Sequence, residues 1–185
     1  REMVRAVRSE RADTLRSRWR AFLELLPALP VAARPDAERP IGELSGERVS
    51  KVYRRMVRMG RAIDASSPPE DYHELRKKGK ELRYLLELFG APLYPTEVVK
   101  PMVKSLKGLQ DVLGRHQDRE VQVASLHRWR DEVAPLPGGA AALMAMGVLV
   151  DRLDRDAVAA RGEFAARFRD FASREQRALV RETFG

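Results

Sequence analysis

Apolar residues recur along most of this chain at every third or fourth position, and the recurrence is interrupted only where proline and glycine cluster. The first cluster holds Pro27, Pro30, Pro35 and Pro40 with Gly42 and Gly46, a long connection with little regular structure of its own. Ser66-Ser67-Pro68-Pro69, Gly90-Ala91-Pro92-Leu93-Tyr94-Pro95 and Pro135-Leu136-Pro137-Gly138-Gly139 make three more. Between them, segments rich in Arg, Leu, Ala, Glu and Met predict helices over 2–26, 47–64, 70–89, 98–132 and 140–184, the last broken at least once. No stretch alternates polar and apolar residues between turn signals as a strand does, so the expected fold is all-α. Long helices joined by short breaks predict an antiparallel helical bundle.

The segment from Asp71 to Phe89 separates its residues most sharply. At about 100° per residue, His73, Arg76, Lys80 and Arg83 fall within about 80° of one another, with Lys77 and Tyr84 beside them. Leu75, Leu82, Leu85, Leu86 and Phe89 take the opposite side and are expected in the core. Lys78 falls inside that apolar arc and does not fit it. A rise of about 1.5 Å per residue spaces successive cations about 5 Å apart along the axis, which suits a linear polyanion better than one small ligand.

The segment from Glu47 to Ile63 repeats the design. Arg48, Lys51, Arg54, Arg55, Arg58 and Arg61 occupy one side, and Val49, Val52, Tyr53, Met56 and Ile63 the other. No acid lies between Arg48 and Arg61. Like charges at i,i+4 repel by a few tenths of a kcal/mol per pair, and a face turned only to solvent ordinarily intersperses Glu. These two stripes are expected to converge on one basic groove or cavity. A third stripe, Lys100, Lys104, Lys107 and Arg115, is diluted by Asp111 and Asp118. Opposite it lie Met102, Leu106, Leu109, Val112 and Leu113, of which Leu106, Leu109 and Leu113 are expected in the core. Gly114 costs about 1 kcal/mol inside a helix and predicts close packing or a bend there.

Composition supports this picture. The chain has 185 residues with 44% hydrophobic and 34% charged, enough to bury a core, and a formal net charge of +8 that favours anionic partners. Without cysteine it has no disulfide, thiolate metal site or thiol nucleophile, a composition compatible with the cytoplasm. The longest nearly apolar run, Gly138 to Val150, is too short to span a bilayer, so membrane insertion is not expected. The first residues lack the apolar stretch of a secretory signal, and the absence of an initial Met fits a fragment of a longer protein.

His73-Glu74-Leu75-Arg76, Lys80, Leu82-Arg83-Tyr84 and Glu87-Leu88-Phe89 together resemble the H-x-x-R-x-x-x-K-x-x-R-Y-x-x-E helix of CHAD domains. Leu106-Lys107-Gly108-Leu109-Gln110-Asp111-Val112-Leu113-Gly114, followed by Asp118, resembles the L-x-x-L-Q-x-x-L-G-x-x-N-D element of the same family, with Gln117 standing where Asn is usual. The resemblance implies two similar four-helix lobes around a basic cavity, binding of inorganic polyphosphate, and association with polyphosphate granules. It carries His73, Arg76, Lys80, Arg83 and Lys107 onto the cationic elements. Because the His-containing motif occurs once, residues 1–64 are read as the end of a first lobe and 70–185 as a second, with the missing part supplied by a further domain or a partner chain. The candidate polyphosphate-binding set is His73, Arg76, Lys77, Lys80, Arg83, Lys104 and Lys107, with Lys51, Arg54 and Arg58.

Catalysis is not expected. There is no G-x-x-x-x-G-K-[ST] phosphate loop, no serine or threonine with an obvious base, and no carboxylate cluster on the basic faces to hold a catalytic metal. His116 and His127 fall on the apolar side of their helix and read as structural. Their i,i+4 acids, Glu120 and Asp131, give two ligands at most, too few for a metal site. No cofactor is expected. Nucleic acid is the alternative ligand, since backbone phosphates supply most nonspecific affinity, but the stripes offer few aromatics for stacking and no Asn or Gln to read bases. A scaffold for an acidic protein is the third reading.

Overall fold

In the computed structural model, which describes residues 2–64 and 66–185, the described residues form helices and turns with no strand. The chain divides into two compact units, residues 1–40 and 41–185. The division falls after Pro40.

The first unit holds α1 (Glu2–Val7) and α2 (Glu10–Leu25), followed by single 3-10 turns at Leu26–Ala28 and Val31–Ala33. One helix was expected over 2–26. Ser9 divides it: its hydroxyl accepts from the Ala12 N–H at 3.3 Å and so caps α2, and Glu10 and Asp13 follow in the first turn, where a helix favours negative charge. None of the described side chains of this unit is buried.

The second unit holds α3 (Ile41–Ala62), α4 (Pro69–Leu85), a π turn (Leu86–Gly90), a single turn α5 (Ala91–Leu93), α6 (Thr96–Val133), α7 (Gly139–Phe171) and α8 (Arg174–Phe184). The longest two, α6 and α7, pair as an antiparallel hairpin. Arg115 bridges to Glu163 and Arg119 to Asp156, so rising numbers on one helix meet falling numbers on the other. The hairpin turns at Gly138, whose φ of 78° an L side chain rarely adopts. Ser173 ends the α7 run and starts α8, its hydroxyl accepting from the Gln176 N–H at 3.1 Å.

The core lies between α3, α4, the near half of α6 and the far half of α7. Val49, Met56, Leu75, Leu82, Leu86, Leu106 and Leu109 are fully buried. An aromatic group closes it: Tyr53 meets Phe171 with ring centroids 5.1 Å apart, and Phe164 and Phe168 stack at 5.5 Å. The buried Tyr53 hydroxyl donates to the Phe171 carbonyl at 2.9 Å, satisfying an acceptor that the end of α7 leaves open.

Of the expected core residues, Leu75, Leu82, Leu86, Leu106, Leu109 and Leu113 are buried and Leu85 packs partly against the core. Phe89 is only half-buried, and its neighbour Leu88 is 67% exposed. The π turn explains this, since its wider repeat rotates residues after Leu86 out of the arc that a 3.6-residue period assigns them. Gly42 and Gly46, expected in a loop, lie inside α3. At Gly46 a Cβ would sit 2.4 Å from the Tyr94 hydroxyl, which donates to the Gly42 carbonyl, so Gly46 admits Tyr94 rather than breaking the helix, whereas a Cβ at Gly42 would meet nothing within 4 Å.

Candidate polyanion-binding surface

Two flanks of α4 hold its charged residues differently. On the α3 flank, Glu81 accepts from Lys78 and from Arg48 of α3. The Lys78 hydrogen bond, with Arg48 behind it, holds the Glu81 carboxyl below the usual carboxylate range. This accounts for Lys78 within the apolar arc: it is a seam residue paired with an acid. Lys77 bonds Glu74 at 2.8 Å on the exposed side.

On the α6 flank the cations are freer. His73 Nδ1 donates to Gln117 Oε1 at 3.0 Å, fixing the ring between α4 and α6 and leaving Nε2 uncommitted by that contact. Arg76 lies beside Gly114, where a Cβ would come 3.9 Å from its Nε. That is ordinary contact distance, so a methyl group would also fit there and Arg76 does not require the glycine. Lys80 and Arg76 are half-buried, and neither forms an ion pair among the described residues. Arg83 lies over the Tyr84 ring at 5.4 Å and 3.7 Å from Glu87, and its buried Nε has no hydrogen-bond acceptor.

Glu87 also reaches Lys107 of α6 at 3.4 Å, joining the two helices. Beyond it, Lys100, Lys104 and Lys107 line a groove of about 490 Å³ floored by Leu86, Val99 and Val103. Arg115 is bound instead to Glu163 of α7, which removes it from this row.

On α3, Lys51 is exposed. Arg54 and Arg58 turn toward α8 and line a second groove, in which no α4 cation takes part. The sequence placed the α3 and α4 stripes on one groove; the structure sets these two arginines on another. Arg48 is the α3 cation that reaches α4.

Two glutamines escaped the sequence reading as site residues. Gln117 orients His73 from 44 positions away, and its place in the second motif, where Asn is usual, was the available signal. Gln110 is buried beside Gly79, and neither atom of its amide has a hydrogen-bond partner among the described residues. His116 is structural as expected: it stacks on Tyr72 with centroids 4.5 Å apart and accepts from Arg161 Nε at 3.1 Å. Burial, with Arg161 beside it, pushes its pKa below the ordinary histidine value. His127 is exposed, because α6 has left the core by that point. Among the described residues no three His, Asp or Glu side chains gather as a metal ion requires, and no helix is long and apolar enough to cross a membrane.

The family model for the CHAD domain matches residues 1–127, from α1 into the second half of α6. No curated protein matches the chain.

Proposed function

Because this chain belongs to the CHAD domain family, we propose that it binds inorganic polyphosphate without turning it over, along the seam between α4 and α6. The chain of phosphates would run past His73, Arg76, Lys77, Lys80 and Arg83 and onto Lys104 and Lys107. Lys51, Arg54 and Arg58 of α3 would add contacts on their own side. Such a protein would act in the cytoplasm, where it could associate with polyphosphate granules.

One observation carries the reading. Arg76 and Lys80 stay half-buried without an acidic partner among the described residues, in line with Arg83, whose buried Nε lacks an acceptor there. A protein that used these residues only for solubility would leave them solvated or pair them. Partly desolvated guanidinium and ammonium groups bond anionic oxygen more strongly than in water, and arginine presents a two-pronged donor to phosphate. Because the ligand repeats, affinity should be spread over many contacts and should weaken with salt. Binding without hydrolysis is the part of this proposal supported by Glu87 pairing with cations and by the absence, among the described residues, of a carboxylate cluster placed for a divalent metal.

Competition at fixed salt tests this. Long polyphosphate, short polyphosphate, RNA, duplex DNA and an acidic polypeptide would each displace a labelled long polyphosphate. The expected order places long polyphosphate first, with short chains weaker. Displacement by RNA or the acidic polypeptide at equal charge concentration would overturn the assignment.

A further inference from the structure

We infer that the groove between α3 and α8 is a separate anion site, one that takes a compact phosphoanhydride: a di- or triphosphate group, either free or as the tail of a nucleotide. Four arginines line it, Arg54 and Arg58 from α3 and Arg177 and Arg181 from α8. Each pair is four residues apart, so each presents two guanidiniums about one helical turn apart. Facing pairs enclose a ligand, whereas a single row tracks one. That arrangement fits a short cluster of phosphates rather than a long chain.

The groove is built for a guest in three further respects. Its volume of about 530 Å³ falls in the range of small-molecule pockets. Arg54 Nε donates to the Ser50 carbonyl and Arg177 Nε to the Ser173 carbonyl, both at 3.3 Å, so each side chain is steadied by its own helix while its two terminal amino groups stay available. Among the described residues no Asp or Glu side chain lines the groove, and none of the four arginines forms an ion pair with one. Four like charges around one hollow repel each other, and a multiply charged anion relieves that repulsion.

The floor differs from that of the α4–α6 seam. Val57 and Val180 supply apolar surface, and the Tyr53 hydroxyl beneath them is already spent on the Phe171 carbonyl. Polar recognition therefore falls to the arginines, and the floor can accept a flat or apolar group attached to the phosphates. Arg177 and Arg181 lie beyond the residues that the family model matches, so this site is read from the fold of α8 against α3. It shares Arg54 and Arg58 with the polyphosphate proposal but uses no cation of α4.

Calorimetric titration with inorganic triphosphate and with ATP, in chelator at low fixed salt, tests the site. Four proteins are compared: wild type, Arg177→Gln with Arg181→Gln, Arg177→Lys with Arg181→Lys, and Arg76→Gln with Lys80→Gln and Arg83→Gln. Circular dichroism checks that each is folded. The glutamine pair should weaken triphosphate by about tenfold or more, and the lysine pair by less, since charge remains but the two-pronged donor does not. The α4 triple variant should bind triphosphate as wild type does. Equal affinity for the two probes assigns the groove to the phosphates alone, and tighter binding of ATP assigns the floor to the nucleoside; both support the site. It is overturned if wild type binds neither probe, if the glutamine pair binds as tightly as wild type, or if the α4 variant loses triphosphate to the same degree. Because long polyphosphate is read separately on the α4 variant, failure of the polyphosphate proposal leaves a distinct signature.

Discussion

Replacing Gly60 by alanine sets a local gain against a tertiary clash, and the structure decides which is larger. Alanine is favoured over glycine within a helix by about 1 kcal/mol. At Gly60, however, the new Cβ would lie 2.1, 2.3 and 2.8 Å from three ring atoms of Phe168. The ring is buried and packed with Phe164 at 5.5 Å and Phe171 at 6.2 Å, so moving it off Gly60 means breaking those aromatic contacts. Overpacking of a filled core costs about 1–3 kcal/mol, and three contacts this short put the cost at the upper end. The balance is a loss of about 2 kcal/mol, or about 4–8 °C in melting temperature for a domain of this size. Gly162 in α7 is the internal control, because a Cβ there meets nothing within 4 Å. Gly162→Ala should therefore show the propensity gain alone, raising the melting temperature by about 2–4 °C. Thermal unfolding followed at 222 nm reads both variants. If Gly60→Ala melts at or above wild type, α3 does not seat on Phe168 as described.

Tyr53→Phe should cost about 1–3 kcal/mol by chemical denaturation, because it leaves the Phe171 carbonyl buried without its donor; an unchanged midpoint would deny that hydrogen bond. Burial holds Tyr53 protonated up to about 12, so its absorbance should not titrate near the ordinary tyrosine value of about 10 while the protein stays folded. The folded-state pKa of His116 lies below its unfolded value of about 6.5, so the unfolded chain binds the extra proton; stability should fall as pH drops through that value, and less so in His116→Gln. Ring titration by NMR that places His116 above 6.5 would contradict it. Glu87→Gln removes the carboxylate held 3.4 Å from Lys107 and 3.7 Å from Arg83. Polyphosphate affinity should then rise by up to about fivefold at low salt, corresponding to about 1 kcal/mol in water, and the gain should fade as salt screens it; weaker binding would remove the seam from the site.

What the sequence revealed was whatever a single helix decides. The burial of Leu75, Leu82 and Leu86 opposite the cations of α4 follows from their spacing, and the structure keeps it. Phe89 escaped because the π turn changes the period just before it, and nothing in the local pattern marks that change. Gly42 and Gly46 read as a loop because glycine weakens a helix locally, while the reason for Gly46, Tyr94, comes from far along the chain. The same limit applies to the surface. His73 was visible as the head of a periodic stripe, but its partner Gln117 sits on another helix. Arg177 and Arg181 share α8 with Glu175 and Glu182 and drew no notice there. Only the packing of α8 on α3 brings them to Arg54 and Arg58.

If the α4 stripe holds the polyanion, neutralising Arg76, Lys80 and Arg83 together must reach binding without reaching the core, since Leu75, Leu82 and Leu86 occupy the other face. The measurement is a titration of wild type and of the triple glutamine variant with long-chain polyphosphate at fixed salt, after both have shown the same helical spectrum. Loss of three of the cations that meet the chain should weaken binding by at least about tenfold and flatten its dependence on salt. A folded triple variant that binds as tightly as wild type, with the same salt dependence, would contradict the assignment of polyphosphate to α4.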